Sequence, residues 1–276
     1  VDVREKTPQR MEAFGRLVDS LGGRYITAED VGTTTADMAQ VARATRFVSG
    51  LSRDSARGTD AAMSVDGDPG PKTALGVFLG LKAAVRFRLG RASLEGLKVA
   101  VQGLGGVGYP LCRLLAAEGA ALIVADSRPG AAQRVCREFG AAEVSAASIL
   151  AQDVDVLAPC ALGAIFDARS IPTVRARVIA GAANNQLARD EDGEALMRAG
   201  LLYAPDYVIN AGGIISVAHE YRGDAGWAQV KAQIDRIPAR LTEIFERARR
   251  EGRPTSAVAD QTARERLAAG PRRMVA

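Results

Sequence analysis

The sequence predicts an α/β fold: a doubly wound parallel sheet covered by helices on both faces. Three observations predict it. Short apolar runs of strand length alternate with helical patterns from Val99 to Tyr203. The first of those runs leads directly into Gly103-Leu104-Gly105-Gly106-Val107-Gly108, a Gly-x-Gly-x-x-Gly loop set between a strand and a helix. About twenty residues on, Asp126 closes the next strand. Composition agrees, because 29 Gly and only 5% aromatic residues suit strands and helices joined by tight turns better than an all-β sandwich.

The elements follow in order. A helix is expected from Pro8 to Leu21, with Thr7 as N-cap and Pro8 at the first helical position. Gly22-Gly23 stops it. Arg24 to Thr27 reads as a short strand with Glu29-Asp30-Val31-Gly32 as the loop at its end. Thr34 and Asp37 have capping-box spacing and open a helix to about Thr45. Ser52 to Pro71, rich in Gly, Asp, Ser and Pro, reads as a hinge-bearing boundary. A helix from Thr73 to Leu89 carries Val77, Phe78, Leu81 and Val85 on one stripe. Strands are expected at Val99–Val101, Ala121–Ala125, Val154–Leu157, Arg177–Ala180 and Leu201–Tyr203, with helices at Val107–Ala117 and Ala131–Phe139. The chain after Gly213 reads as helical, with one long helix from Ala228 to Arg250.

Charge and cysteine usage narrow the function classes. A formal net charge of +4 comes from arginines scattered over helices, without a basic stripe interleaved with aromatics, so no nucleic-acid partner is expected. Cys112, Cys136 and Cys160 are an odd number at no metal-ligand spacing, which fits a reducing, cytoplasmic compartment and no metal site. No apolar run reaches membrane-spanning length.

The glycine loop carries the first chemistry. Gly103 permits the tight turn, Gly105 lets backbone approach a diphosphate, and Gly108 lets the helix pack close to the strand, with Gly106 and Val107 between them as further cofactor-binding candidates. The helix start that follows Val107 offers unpaired N–H groups and the positive end of the dipole. Asp126 stands where a carboxylate accepts hydrogen bonds from adenosine ribose hydroxyls, which favours NAD. Arg128 keeps NADP open, because an arginine there can pair with a 2′-phosphate.

Five stretches together carry a resemblance: Arg24 to Thr33, Val99 to Tyr109, Ala158 to Ala164, Ala180 to Leu187, and Tyr203 to Gly213. In this order they resemble the Glu/Leu/Phe/Val dehydrogenase family, closest to its leucine and phenylalanine dehydrogenase branch. The resemblance implies oxidative deamination of an L-amino acid to a 2-oxo acid and ammonia, in a cleft between a substrate domain and a dinucleotide domain, by a homo-oligomer. It implies that Asp30 is the catalytic aspartate, taking part in proton transfer at the substrate amino group. It places Thr73 at the nicotinamide carboxamide, and Cys160, Ala161 and Leu162 where backbone passes the cofactor. Asn184 and Asn185 fall near the nicotinamide, and Asn210 near the substrate. Read without the resemblance, Asp30 is a turn-capping acid, Thr73 a helix cap, Cys160 a small core residue and Asn184-Asn185 a turn. His219, the only histidine, reads as a helix-surface or core residue.

On the same basis residues 1–52 are expected to be the remnant of a substrate domain, 53–225 the Rossmann domain, and 226–276 helices packing back across the hinge. The pattern breaks in one respect. The family's chemistry uses a lysine in a Gly-Gly-x-Lys setting and a second lysine for the substrate carboxylate. The five lysines here, Lys6, Lys72, Lys82, Lys98 and Lys231, match neither. Asp30 cannot supply positive charge to a developing oxyanion. The chain also opens on Val1 and ends soon after Leu267. The expectation is a partial sequence that binds the nucleotide and deaminates little by itself. The rival is a catalytically inactive NAD-binding regulatory module, and a dehydrogenase acting on shikimate or folate substrates is a weaker third.

Overall fold

A computed structural model of the chain describes residues 5–51, 65, 67–224 and 226–270. The chain divides into two compact units, Val1–Thr73 with Ala211–Asp235, and Ala74–Asn210 with Arg236–Ala276. The breaks fall at 73/74, 210/211 and 235/236, whereas the sequence suggested 52/53 and 225/226.

The larger unit holds one sheet of six strands: β1 (Lys98–Gln102), β2 (Ala121–Ala125), β3 (Ala142–Glu143), β4 (Val156–Pro159), β5 (Val178–Ile179) and β6 (Leu202–Tyr203). All pairs are parallel and the order is β3-β2-β1-β4-β5-β6. The order reverses between β1 and β4, the switch point outside which ligands bind in open α/β sheets. Gln102 lies level with Ala125 on one side and Pro159 on the other, so three strands end together and their loops leave one edge. Val99 to Val101 and Val156 to Ala158 are buried without alternation, as a sheet covered on both faces requires.

β2 and the helix α5 (Ala131–Phe139) have the expected bounds. β4 starts at Val156 rather than Val154, β5 and β6 are pairs of residues, and β3 was not anticipated. Ala142 and Glu143 are both exposed, so this edge strand carries no apolar pattern to reveal it.

The expected long helix from Ala228 to Arg250 is two helices, α9 (Trp227–Ile234) and α10 (Ile237–Glu251). Pro238 sits in the first turn of α10. Its ring would clash with the Ile234 carbonyl in an uninterrupted helix, so the chain stops and restarts. α10 packs on α11 (Thr255–Ala268) through Ile244, Ala248, Val258 and Ala259. The helix α3 (Gly70–Leu89) begins three residues before Thr73. A Cβ on Gly80 would lie 2.6 Å from Ile209 and 2.7 Å from Leu241, so α3 meets its neighbours there at bare-backbone distance.

The smaller unit is built on α1 (Pro8–Ser20), α2 (Thr35–Val41) and α8 (Gly212–Arg222), with α9. Thr7 caps α1 by accepting from the Arg10 N–H at 3.2 Å. Gly22 and Gly23, at φ +60° and +82°, turn the chain away. The Thr34–Asp37 capping box is present, but α2 stops at Val41 rather than near Thr45. Met11, Met38, Val41 and Val48 form this unit's core. The expected strand at Arg24–Thr27 reduces to a single parallel bridge from Thr27 to Val48, because only the 47–49 segment lies beside it. Most of the expected 52–71 hinge lies outside the described residues, and Gly70 and Pro71 belong to α3.

Candidate functional site

The glycine turn leaves β1 at the switch point. Gly103 has φ +88°, and a Cβ on it would lie 2.9 Å from the Cα and N of Ala161. Only glycine fits both conditions. A Cβ on Gly108, the first residue of α4 (Gly108–Ala117), would fall 1.8 Å from the Gly103 carbonyl oxygen. These two glycines therefore serve packing. Among the described residues, Gly106 has nothing within 4 Å of its Cβ position and Gly105 only the Arg128 guanidinium at 3.9 Å. Among the described residues, the N–H groups of Gly105, Gly106 and Val107 have no acceptor. Three amides left without an acceptor beside a helix start make a candidate anion cradle, one that a dinucleotide's diphosphate would fit.

Asp126 directly follows β2, beside this turn. Its Oδ2 accepts from the Leu104 N–H at 2.6 Å and from Arg128 Nη2 at 3.1 Å. Its Oδ1 accepts from the Arg128 N–H at 2.7 Å and Nε at 3.1 Å. Partial burial works to raise this carboxyl, but Arg128 and the Leu104 N–H outweigh it and hold it below the usual carboxylate range. The acid thus braces the glycine turn itself, a role the sequence did not suggest.

Cys160, Ala161 and Leu162 follow β4. Burial pushes the Cys160 thiol up to about 12, so it is a neutral packing group rather than a nucleophile. Ala161 walls the glycine turn through Gly103, and Leu162 is exposed. The next loop crosses closely: a Cβ on Gly163 would lie 2.2 Å from the Asn184 carbonyl oxygen, and Asn185 accepts from the Ala164 N–H at 2.6 Å. Asn185 takes the left-handed conformation, φ +52°, so its backbone is a turn. Asn184 and Asn185 are exposed. Asn210 Nδ2 donates to Asn184 Oδ1 at 2.6 Å and to the Ala182 carbonyl at 3.1 Å. The structure thus brings Gly103 to Gly108, Asp126, Cys160 to Leu162, Asn184, Asn185 and Asn210 along the carboxyl edge of one sheet.

Sequence reasoning missed the residue under this edge. Gln186 is fully buried, its Nε2 donates to the Gly181 and Ala183 carbonyls at 3.0 Å, and its Oε1 has no partner among the described residues. A buried amide that holds two turns of one loop fixes that loop's path. No local signal marked it, because Gln186 follows two other amides, Asn184 and Asn185, in the sequence.

Asp30 and Thr73 lie in the smaller unit. Asp30 is exposed, and its Oδ1 accepts from the Val31 N–H at 2.7 Å. The adjacent Glu29 is the perturbed acid. Its carboxyl is raised to about 7, by burial first and then by Asp68 and Asp30. Thr73 Oγ1 donates to the Pro69 carbonyl at 3.0 Å in the first turn of α3. Cβ atoms on Gly212 and Gly213 would lie 2.1 Å from the Lys72 carbonyl oxygen and 2.4 Å from Thr73 Oγ1. The start of α8 is therefore pressed against that turn. Lys72 is buried, with Nζ 2.8 Å from the Asp68 carbonyl. His219 is also buried, its Nδ1 2.6 Å from Asp224 Oδ1 and its Nε2 2.7 Å from the Gln233 side-chain amide. These partners come from the segment after α8 and from α9.

Strand order and switch point define an α/β domain of the Rossmann type. Residues 127–269 match the Glutamate/Leucine/Phenylalanine/Valine dehydrogenase family. The chain is 44% identical over 264 residues to leucine dehydrogenase of Bacillus subtilis (strain 168), covering 96% of this chain and 70% of the relative. It is also 44% identical over 265 residues to L-tryptophan dehydrogenase of Nostoc punctiforme, covering 95% of this chain and 71% of the relative. The crystal structure of L-tryptophan dehydrogenase from Nostoc punctiforme superimposes with a TM-score of 0.78 at 42% identity, over 98% of this chain and 75% of that one. A hetero-hexameric glutamate dehydrogenase from Thermus thermophilus shares the fold, with a TM-score of 0.71 at 21% identity, over 98% of this chain and 72% of that one. The chain belongs to the Glutamate/Leucine/Phenylalanine/Valine dehydrogenase family of amino-acid dehydrogenases. That membership favours an enzyme over the non-catalytic module. Among the described residues, no helix is long and apolar enough to cross a membrane.

Proposed function

We propose that this protein is an NAD-dependent dehydrogenase that oxidatively deaminates an apolar L-amino acid to its 2-oxo acid. The nicotinamide, when bound, supplies the hydride acceptor. The observation that carries the cofactor reading is the open row of amides at Gly105, Gly106 and Val107. These groups hold the diphosphate, and Asp126 takes the adenosine ribose. Cys160 to Leu162, Asn184 and Asn185 orient the nicotinamide end, as does Thr73. Asn210 positions the substrate, and Asp30 exchanges a proton at its amino nitrogen. An apolar substrate is supported by the names of the relatives, which act on leucine, tryptophan and valine.

Residues 1–52 then contribute to the substrate side, 53–225 to nucleotide binding and 226–276 to helices that support it. The working protein is a homo-oligomer of the cytoplasm. None of the five lysines stands in a Gly-Gly-x-Lys setting, so the 276-residue chain assayed alone lacks a cation for the developing oxyanion and turns over little. The test is a fluorescence titration with NADH, followed by a search for NADH formation with leucine, valine, phenylalanine and tryptophan. Brisk turnover overturns the lysine argument. Failure to bind NADH overturns the cofactor reading.

A further inference from the structure

The Asp126–Arg128 pair bears on which dinucleotide the turn accepts. A carboxylate offers about four acceptor positions. Asp126 fills them with the Leu104 N–H and with the N–H, Nε and Nη2 of Arg128. It has none left for two ribose hydroxyls while the guanidinium stays in place. A site devoted to NAD alone would keep that carboxylate open.

Arg128 is differently placed. Its side chain is 61% exposed while the Asp126 side chain is only 6% exposed, so the cation forms the outer surface of the pair. Of its N–H donors, Nε and one on Nη2 are committed to Asp126. Both hydrogens on Nη1 and one on Nη2 have no acceptor among the described residues. Nη2 lies 3.9 Å from the Cβ position of Gly105, on the open side of the amide cradle. Ser127, between the two, is exposed.

We propose that Arg128 makes this a site for the 2′-phosphorylated dinucleotide as well as the unphosphorylated one. The proposal rests on the cofactor reading above and assigns Arg128 as the residue that sets the preference. With a 2′-phosphate, the guanidinium keeps its Asp126 bonds and turns its uncommitted N–H groups to the phosphate oxygens, screening them from the carboxylate. With a 2′-hydroxyl, Arg128 yields acceptor positions on Asp126 to the ribose. The discrimination against a 2′-phosphate that an exposed acid imposes is thereby cancelled.

The test is fluorescence titration of the 276-residue chain with NADH and with NADPH, for the wild type, Arg128→Ala and Arg128→Lys. Wild type is expected to bind both with dissociation constants within about tenfold of each other. In Arg128→Ala the ratio of the NADPH to the NADH constant should rise about tenfold or more, the size of one charge-assisted hydrogen bond lost. Arg128→Lys should fall between, since its single ammonium serves carboxylate or phosphate but not both faces at once. An unchanged ratio in Arg128→Ala overturns the proposal, and so does a wild type that binds NADH but not NADPH. If neither nucleotide binds, the cofactor reading itself has failed.

Discussion

Two glycines two residues apart in the same turn should respond in opposite ways to one methyl group. Gly108 is closed: its new Cβ would lie 1.8 Å from the Gly103 oxygen, 2.9 Å from the Gly103 carbon and 3.3 Å from the Cys160 Cβ. Relief requires α4 and β1 to part by more than an ångström. Gly103 cannot retreat, because its own Cβ position already abuts Ala161 backbone at 2.9 Å. Overpacking against unyielding backbone costs about 3 kcal/mol. At about 2–4 °C per kcal/mol for a domain of this size, Gly108→Ala should lower Tm by about 6–12 °C. Gly106 is open, with nothing within 4 Å and no left-handed φ, so Gly106→Ala should hold Tm or raise stability by about 0.4–1 kcal/mol. The same methyl stands over the amide cradle. Loss of one backbone bond to a charged phosphate, about 1.5–3 kcal/mol, should weaken NADH binding roughly ten- to hundredfold. Thermal melts and NADH titrations on both variants check this. Wild-type NADH affinity in Gly106→Ala would show that no diphosphate lies there, and wild-type Tm in Gly108→Ala would refute the packing argument.

Three further outcomes are expected. Asp126→Ala should weaken NADH binding by about 1 kcal/mol and also lower Tm, since the Leu104 N–H loses its acceptor; titration and melting of one sample read both. Asp30→Asn should keep NADH affinity and Tm, because its carboxylate is exposed and serves one local N–H, while any NADH formation from amino acids is lost; retained turnover removes Asp30 from the chemistry. Glu29 binds its proton more tightly folded than unfolded, with a pKa near 7 against 4.5. Its stabilising contribution is therefore complete below pH 4.5 and lost as pH rises through 7. Between pH 5 and pH 8 the wild-type Tm should fall further than that of Glu29→Gln, and parallel pH profiles would refute the assignment.

Local rules were enough wherever a single residue type forced the backbone. Thr7 before Pro8, the Thr34–Asp37 box and the alternation of strand and helix patterns led to elements found in the structure. The helix break at Pro238 was also written in the sequence, and the apolar periodicity on either side obscured it. β3 and the bridge at Thr27 were not legible, because two-residue pairings carry no periodicity and exist only through the strand beside them. The open and the packed glycines of one motif look alike in sequence. Their difference lies in what stands opposite each, Ala161 and the Gly103 carbonyl in one case and empty space in the other.

By itself, then, the sequence determined the kind of fold and the order of its parts, because caps, prolines, glycines and hydrophobic period act over a few residues. It also marked the glycine turn on which the proposed cofactor reading rests. Only the tertiary structure decided that Asp126 is already saturated by Leu104 and Arg128, that Glu29 rather than Asp30 holds its proton into the neutral range, and that His219 and Gln186 are buried and hydrogen-bonded. The physical reason is that hydrogen-bond saturation and desolvation are set by groups the fold brings together.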